Sequence, residues 1–346
     1  MKNITIIFAS LAILLFSCST EQRIVQTHSG DGKYDGLEFN GNTAQNFEEI
    51  WQSVKLINSI AYYNSYVIPL ERKLRLGSLA KEAVDLEIFS KTFFTDNAGG
   101  TATILSNKNG NILLLTCAHI LDFPDTVITF YSDSDGKESD YIESISIKID
   151  QDNYVSDLPG DGHVEIIALD ELLDAAIIGG KFSSIDLLKH KTFPVKFGNA
   201  EELTWGNYVY VFGYPMNRKM VTTGLVSLYE SNPDDYFLID AVFNRGMSGG
   251  IVLAVRDGSP NYEFVGMAKS SPADSKIVLK PYDFEDEYSN IPIGPFEGKL
   301  KVEREMEMKY GISKVITVNS IKKFILSNQD EILEGGFTMP EKILNN

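Results

Sequence analysis

The distribution of apolar residues changes character several times along this 346-residue chain. Ile4 to Phe16 is an apolar run broken only by Thr5 and Ser10. Residues 18–45 are rich in Gly, Ser, Thr, Asn, Asp and Gln, the composition of a flexible tether with too little apolar surface to fold. Beyond it, Phe47, Ile50, Trp51, Val54, Ile57 and Ala61 recur at helical spacing, and Asn46 with Glu49 three positions on has the form of a capping box. A helical extension is therefore expected over 46–87.

From about residue 88 the pattern becomes short β-type runs between turn residues. The first set is 101–105, 112–116, 127–131, 142–149, 164–168 and 175–178, with a hairpin expected across Asn107-Lys108-Asn109-Gly110. The second is 208–212, 220–228, 236–241, 250–254, 264–269 and 312–318. Two sets of six predict an all-β fold of two six-stranded antiparallel barrels, over about 88–185 and 192–320, in a domain spanning 88–328. Ser320 reads as the N-cap of a closing helix with Ile321, Phe324 and Ile325 on one face and Gly335-Gly336 as its stop, leaving 329–346 as a tail.

The apolar run at the start is too short and too poorly flanked to span a bilayer stably, and with Lys2 before it reads as a signal peptide over 1–17. Its end, Leu15-Phe16-Ser17-Cys18, resembles the bacterial lipobox, which implies cleavage before Cys18, acylation of that cysteine and a membrane-anchored lipoprotein of the bacterial cell envelope, on its periplasmic side or at the surface. The chain holds only two cysteines, so a lipidated Cys18 leaves Cys117 without a disulfide partner. The formal charge of −17 makes nucleic acid and anionic lipid poor partners; removing 1–17 takes away only Lys2.

Acyl transfer to water needs a nucleophile, a base, a carboxylate that orients the base, and N–H donors for the oxyanion. Ser248 lies in Asn244-Arg245-Gly246-Met247-Ser248-Gly249-Gly250, where flanking glycines permit a tight turn that can aim the amides of Gly246 and Ser248 at one point, Met247 forming the bend between them. His119 closes the apolar run Leu113-Leu114-Leu115-Thr116-Cys117-Ala118. Asp174 stands directly before Ala175-Ala176-Ile177-Ile178, where a charge is costly unless paired. Each feature alone also has a bland reading: a glycine-rich turn, a structural histidine, a turn-capping aspartate.

The order His119, Asp174, Ser248 is that of chymotrypsin-type proteases. The resemblance extends to the HtrA/Deg branch of trypsin-like proteases through Gly198-Asn199-Ala200, Phe212-Gly213-Tyr214-Pro215, Val221-Thr222-Thr223-Gly224-Leu225-Val226-Ser227, Asp240-Ala241 with the loop to Gly250, and Gly311-Ile312-Ser313, covering about residues 98–326. It implies a double-barrel serine endopeptidase acting on protein or peptide substrates, with His119, Asp174 and Ser248 as catalytic triad, Gly246, Met247 and Ser248 forming the oxyanion hole, and envelope protein processing or quality control as its setting. It also implies a substrate pocket at Val242, Phe243 and Asn244, uncharged and suited to small or medium apolar side chains.

The sequence departs from that family in two places. Some 28 residues follow Val318, too few for the PDZ module that HtrA-type chains commonly carry. Arg23-Ile24-Val25 resembles a zymogen cleavage site, but Met247 stands where the aspartate that would receive the freed N-terminus is expected. Acidic insertions near Ser132–Asp140 and Asp150–Asp161 read as solvated loops, because Asp-x-Asp fragments there do not continue as calcium loops. No metal and no cofactor is expected. Two other readings stay open at this level: a catalytically silent protease-fold lipoprotein that binds rather than cleaves, and a solute-binding lipoprotein, which would need alternating strands and helices.

Overall fold

The computed structural model describes residues 32, 43–79, 84–132, 138–183, 190–228, 236–258, 260–270, 273–281, 300–308 and 311–344. The signal segment, Cys18, Arg23-Ile24-Val25 and nearly all of the tether lie outside the described residues. No helix among the described residues is long and apolar enough to cross a membrane.

The first helix, α1 (Thr43–Trp51), begins before Asn46 and ends at Trp51. Asn46 therefore sits inside the helix and does not cap it. The expected helical extension over 46–87 is corrected further on, where Val54–Val67 forms strand β1. Ile57 and Ala61 are four apart, a separation that satisfies both a helical and a two-residue period. The Val, Ile and Tyr residues spread along Val54–Val67 decide for the strand, and Lys55, Ile57, Ser59, Ala61, Tyr63 and Ser65 turn inward.

Strands β2 (Ser90–Lys108), β3 (Asn111–Thr116), β4 (Thr126–Ser132), β5 (Glu138–Val155), β6 (Glu165–Asp170) and β7 (Ala175–Lys181) complete the first sheet, in the order β4-β5-β1-β2-β3-β7-β6. An isolated bridge between Tyr154 and His163, with the Val164 amide bonded to the Asn153 carbonyl, links β5 to the approach to β6. Six strands thus form a ring and β4 is an addition. The β2–β3 hairpin turns at Asn109 and Gly110, both left-handed at φ 56° and 91°, as a two-residue turn matched to strand twist requires. The expected solvated loop at Asp150–Asp161 is in its first half strand: Asp150–Val155 belongs to β5 and pairs with β1.

The second sheet contains β8 (Lys196–Phe197), β9 (Tyr208–Gly213), β10 (Met220–Leu228), β11 (Tyr236–Ile239), β12 (Ile251–Val255), β13 (Tyr262–Ser270) and β16 (Ser313–Thr317), in the order β12-β9-β10-β11-β16-β13-β8. Pairing of β12 with β13 closes six of them into a barrel, with β8 added in parallel to β13. Strands β14 (Ala273–Pro281) and β15 (Leu300–Met308) form a separate two-stranded ribbon.

Aromatic packing fastens α1 to the second barrel. The Trp51 ring meets Phe212 and Tyr214 edge-on, and Phe47 meets Tyr210 and Phe212. The Tyr214 hydroxyl donates to the Val54 carbonyl at 3.2 Å, and burial pushes this phenol up to about 12. At the other end, α2 (Val318–Ser327) is capped by Thr317, whose Oγ1 accepts the Ser320 amide, so Ser320 lies inside the helix and is not its N-cap. The expected tail is packed structure: Ile332 in α3 (Gln329–Glu334), then Phe337, Met339 and Ile343, are buried in the core.

Candidate active site

Strands β3 and β7 are antiparallel neighbours, with Thr116 opposite Ala176. That register sets His119, three residues beyond Thr116, and Asp174, two before Ala176, at the same end of the sheet. His119 rides on a 3-10 turn, Ala118–Ile120, whose flanking residues are buried. Its Nδ1 lies 2.9 Å from both Asp174 carboxylate oxygens, and its backbone amide donates to Asp174 Oδ1 at 2.9 Å. The carboxylate is buried, 9% exposed, while the histidine side chain is 45% exposed. With Nδ1–H donated to the carboxylate, Nε2 is left as the acceptor.

Asp174 adopts a left-handed backbone, φ 64°. Aspartate tolerates this region better than most residues, and the contacts from His119 hold it there. The nearby Asp170 accepts the Leu173 amide and so shapes the turn that delivers Asp174.

Ser248 comes from the second barrel, on the loop before β12. The Met247 amide donates to the Asn244 carbonyl and the Gly250 amide to the Met247 carbonyl, forming two successive tight turns. Gly246 and Gly249 have φ of 99° and 82°, and a Cβ on Gly249 would lie 1.9 Å from the Thr101 carbonyl oxygen. Both the torsion and the space therefore require glycine there. Met247 is fully buried and its amide is committed to Asn244, so it contributes the bend and not an oxyanion donor. Among the described residues, the amides of Gly246 and Ser248 donate to no protein acceptor.

Thr101 on β2 clamps this loop to the first barrel. Its amide donates to the Ser248 carbonyl at 2.8 Å, and its hydroxyl donates to the Gly246 carbonyl at 2.7 Å while accepting the Tyr214 amide at 3.0 Å. The Ser248 hydroxyl donates to the Lys269 carbonyl at 2.8 Å, and no hydrogen bond joins it to His119. Two of the three residues are thus bonded to each other, and the third is held beside a different acceptor.

Of the expected pocket residues, Phe243 is buried in the core, whereas Val242 and Asn244 reach the surface. Cavities of about 460, 490 and 430 Å³ open beside Glu263, Phe337 and Thr338, and none of them is lined by His119, Asp174 or Ser248.

Cys117 is fully buried and its thiol donates to the Ala268 carbonyl. Burial first, and then the charge of Asp174, push this thiol well above its ordinary range. Ligand atoms of Cys117, His119 and Asp174 lie within 4.8 Å of one another, one such set among the described residues. A metal fits them poorly: the carboxylate oxygens and Nδ1 already satisfy each other, and the thiol is held in its neutral form.

Two residues at the site were not singled out from sequence, Thr101 and Lys269. Lys269 ends the buried run Val265-Gly266-Met267-Ala268, and its ammonium lies 3.9 Å from Asp174 Oδ2 and 3.5 Å from the Leu173 carbonyl. The signal was the one that marked Asp174, a charge at the end of a buried strand.

No curated protein matches this chain. Among solved structures it is similar to an HtrA-type protease, AlgW, with a tripeptide (16% identity, TM-score 0.40, covering 85% of this chain and 64% of that one). It is likewise similar to the Rv3671c protease in an inactive form (13% identity, TM-score 0.40, covering 85% and 98%). The chain thus spans just under two thirds of the HtrA-type structure. Residues 100–267, which include His119, Asp174 and Ser248, match the trypsin-like peptidase domain family.

Proposed function

We propose that this chain is a serine endopeptidase of HtrA/Deg type. His119 Nε2 takes the Ser248 hydroxyl proton as Oγ bonds to the scissile carbonyl carbon, and Asp174 holds the imidazolium that forms. Carbonyl electrons move to an oxyanion received by the Gly246 and Ser248 amides, which donate to no acceptor among the described residues. Collapse breaks the C–N bond, His119 returns its proton to the leaving amine, and water, deprotonated by the same imidazole, releases the acyl group. The observation that carries this reading is the His119–Asp174 pair, with Nδ1 2.9 Å from both carboxylate oxygens.

Before attack, the Ser248 hydroxyl must turn from the Lys269 carbonyl towards His119, a side-chain rotation of a kind common before substrate arrives. That same contact favours the second reading, a silent binding module. A fluorophosphonate probe separates the two: covalent attachment at Ser248, absent in Ser248→Ala, is expected of the enzyme, whereas an intact but unlabelled protein favours the binder.

The lipobox-like Leu15-Phe16-Ser17-Cys18 supports a membrane-anchored setting in the bacterial envelope, with protein or peptide substrates there. Expression with labelled palmitate tests it: label is expected in the full chain and lost in Cys18→Ser, and an unlabelled full chain excludes the anchor.

A further inference from the structure

We infer that Lys269 is a positioning residue of this site, whose ammonium balances the buried Asp174 carboxylate while His119 is neutral and thereby extends the neutral, base-competent imidazole to lower pH. The inference rests on the protease reading for its consequence, but not for its physics.

A general base must be unprotonated when substrate arrives, and at that moment Asp174 is a buried anion facing a neutral ring. An uncompensated buried charge is costly, and the usual relief is for the neighbouring imidazole to take up a proton, which would disable the base. The groups that face this carboxylate are few. From the end of β3 come His119 itself and Cys117, whose thiol is neutral and offers no charge. From β13 comes Lys269, its Nζ 3.9 Å from Oδ2, with the Leu173 carbonyl fixing the ammonium at 3.5 Å. Its side chain is only 26% exposed, so solvent screens the interaction incompletely. Lys269 therefore competes with the imidazolium for the same anion: it supports the carboxylate in the resting state and makes protonation of His119 less favourable.

The test compares Lys269→Met and Lys269→Arg in the full chain. Loss of the cation favours the protonated imidazole, so the acid limb of kcat/KM for a peptide substrate should move up by about half to one pH unit in Lys269→Met, a loss of about three- to tenfold on the acid side. Lys269→Arg should restore the parent profile. The His119 ring titration, followed by NMR in a Ser248→Ala background, should move in the same direction and needs no activity. An unmoved midpoint in Lys269→Met, or an equal shift in Lys269→Arg, overturns the inference. A protein that fails to label at Ser248 yet shows the NMR shift keeps this inference and loses the protease reading.

Discussion

His119 and Asp174 come from adjacent strands of one barrel and are joined by several contacts at 2.9 Å, whereas Ser248 comes from the other barrel and its hydroxyl is bonded to the Lys269 carbonyl. The difference follows from how each is held. His119 and Asp174 are set by one strand register, with both main chain and side chain of His119 committed. For Ser248, the main chain is fixed by Thr101 and two glycine turns, and the hydroxyl is bonded to the Lys269 carbonyl instead of to His119. Under the proposed function, the acid–base half would stand built before substrate, and the nucleophile half would be completed by turning the Ser248 hydroxyl from the Lys269 carbonyl.

Breaking the finished half should have the largest effect. Asp174→Asn keeps the size of the side chain but replaces the carboxylate with an amide that can favour the wrong imidazole tautomer; a fall of about 10⁴-fold in kcat is expected from steady-state kinetics on a peptide substrate. A fall of less than about tenfold would mean that the pair is structural. Thr101→Val probes the clamp on the other half. It removes the bonds to Gly246 and Tyr214 and leaves a carbonyl and an amide without those partners, so a stability loss of about 1–3 kcal/mol is expected from denaturant unfolding. A loss of about ten- to a hundredfold in kcat/KM should accompany it as Ser248 loses its fixed main chain. Unfolding without a kinetic defect in the folded fraction would separate clamp from catalysis.

Much of this was legible in the sequence because local chemistry and fold agree. Asn109-Gly110 specifies its hairpin turn by backbone torsion alone, and Asp174 before a buried run demands a partner that the strand register supplies. Ile57 and Ala61 misled because a spacing of four is shared by helix and strand. Phe243 could be placed by resemblance near a pocket, but only its packing reveals that the core needs the ring. Thr101 was invisible for another reason: its role consists of bonds to residues 145 and 113 positions away, and no local pattern encodes them.

The glycine at 249 has a consequence for how the molecule fails. Its missing side chain lets the backbone of one barrel rest on the Thr101 carbonyl of the other, so the Ser248 loop keeps this seat only while the two halves are docked. Under the proposed function, turnover then reports the seam and not the integrity of either half: mild heat or dilute denaturant that parts the barrels is expected to extinguish chemistry while each half still holds its own strands.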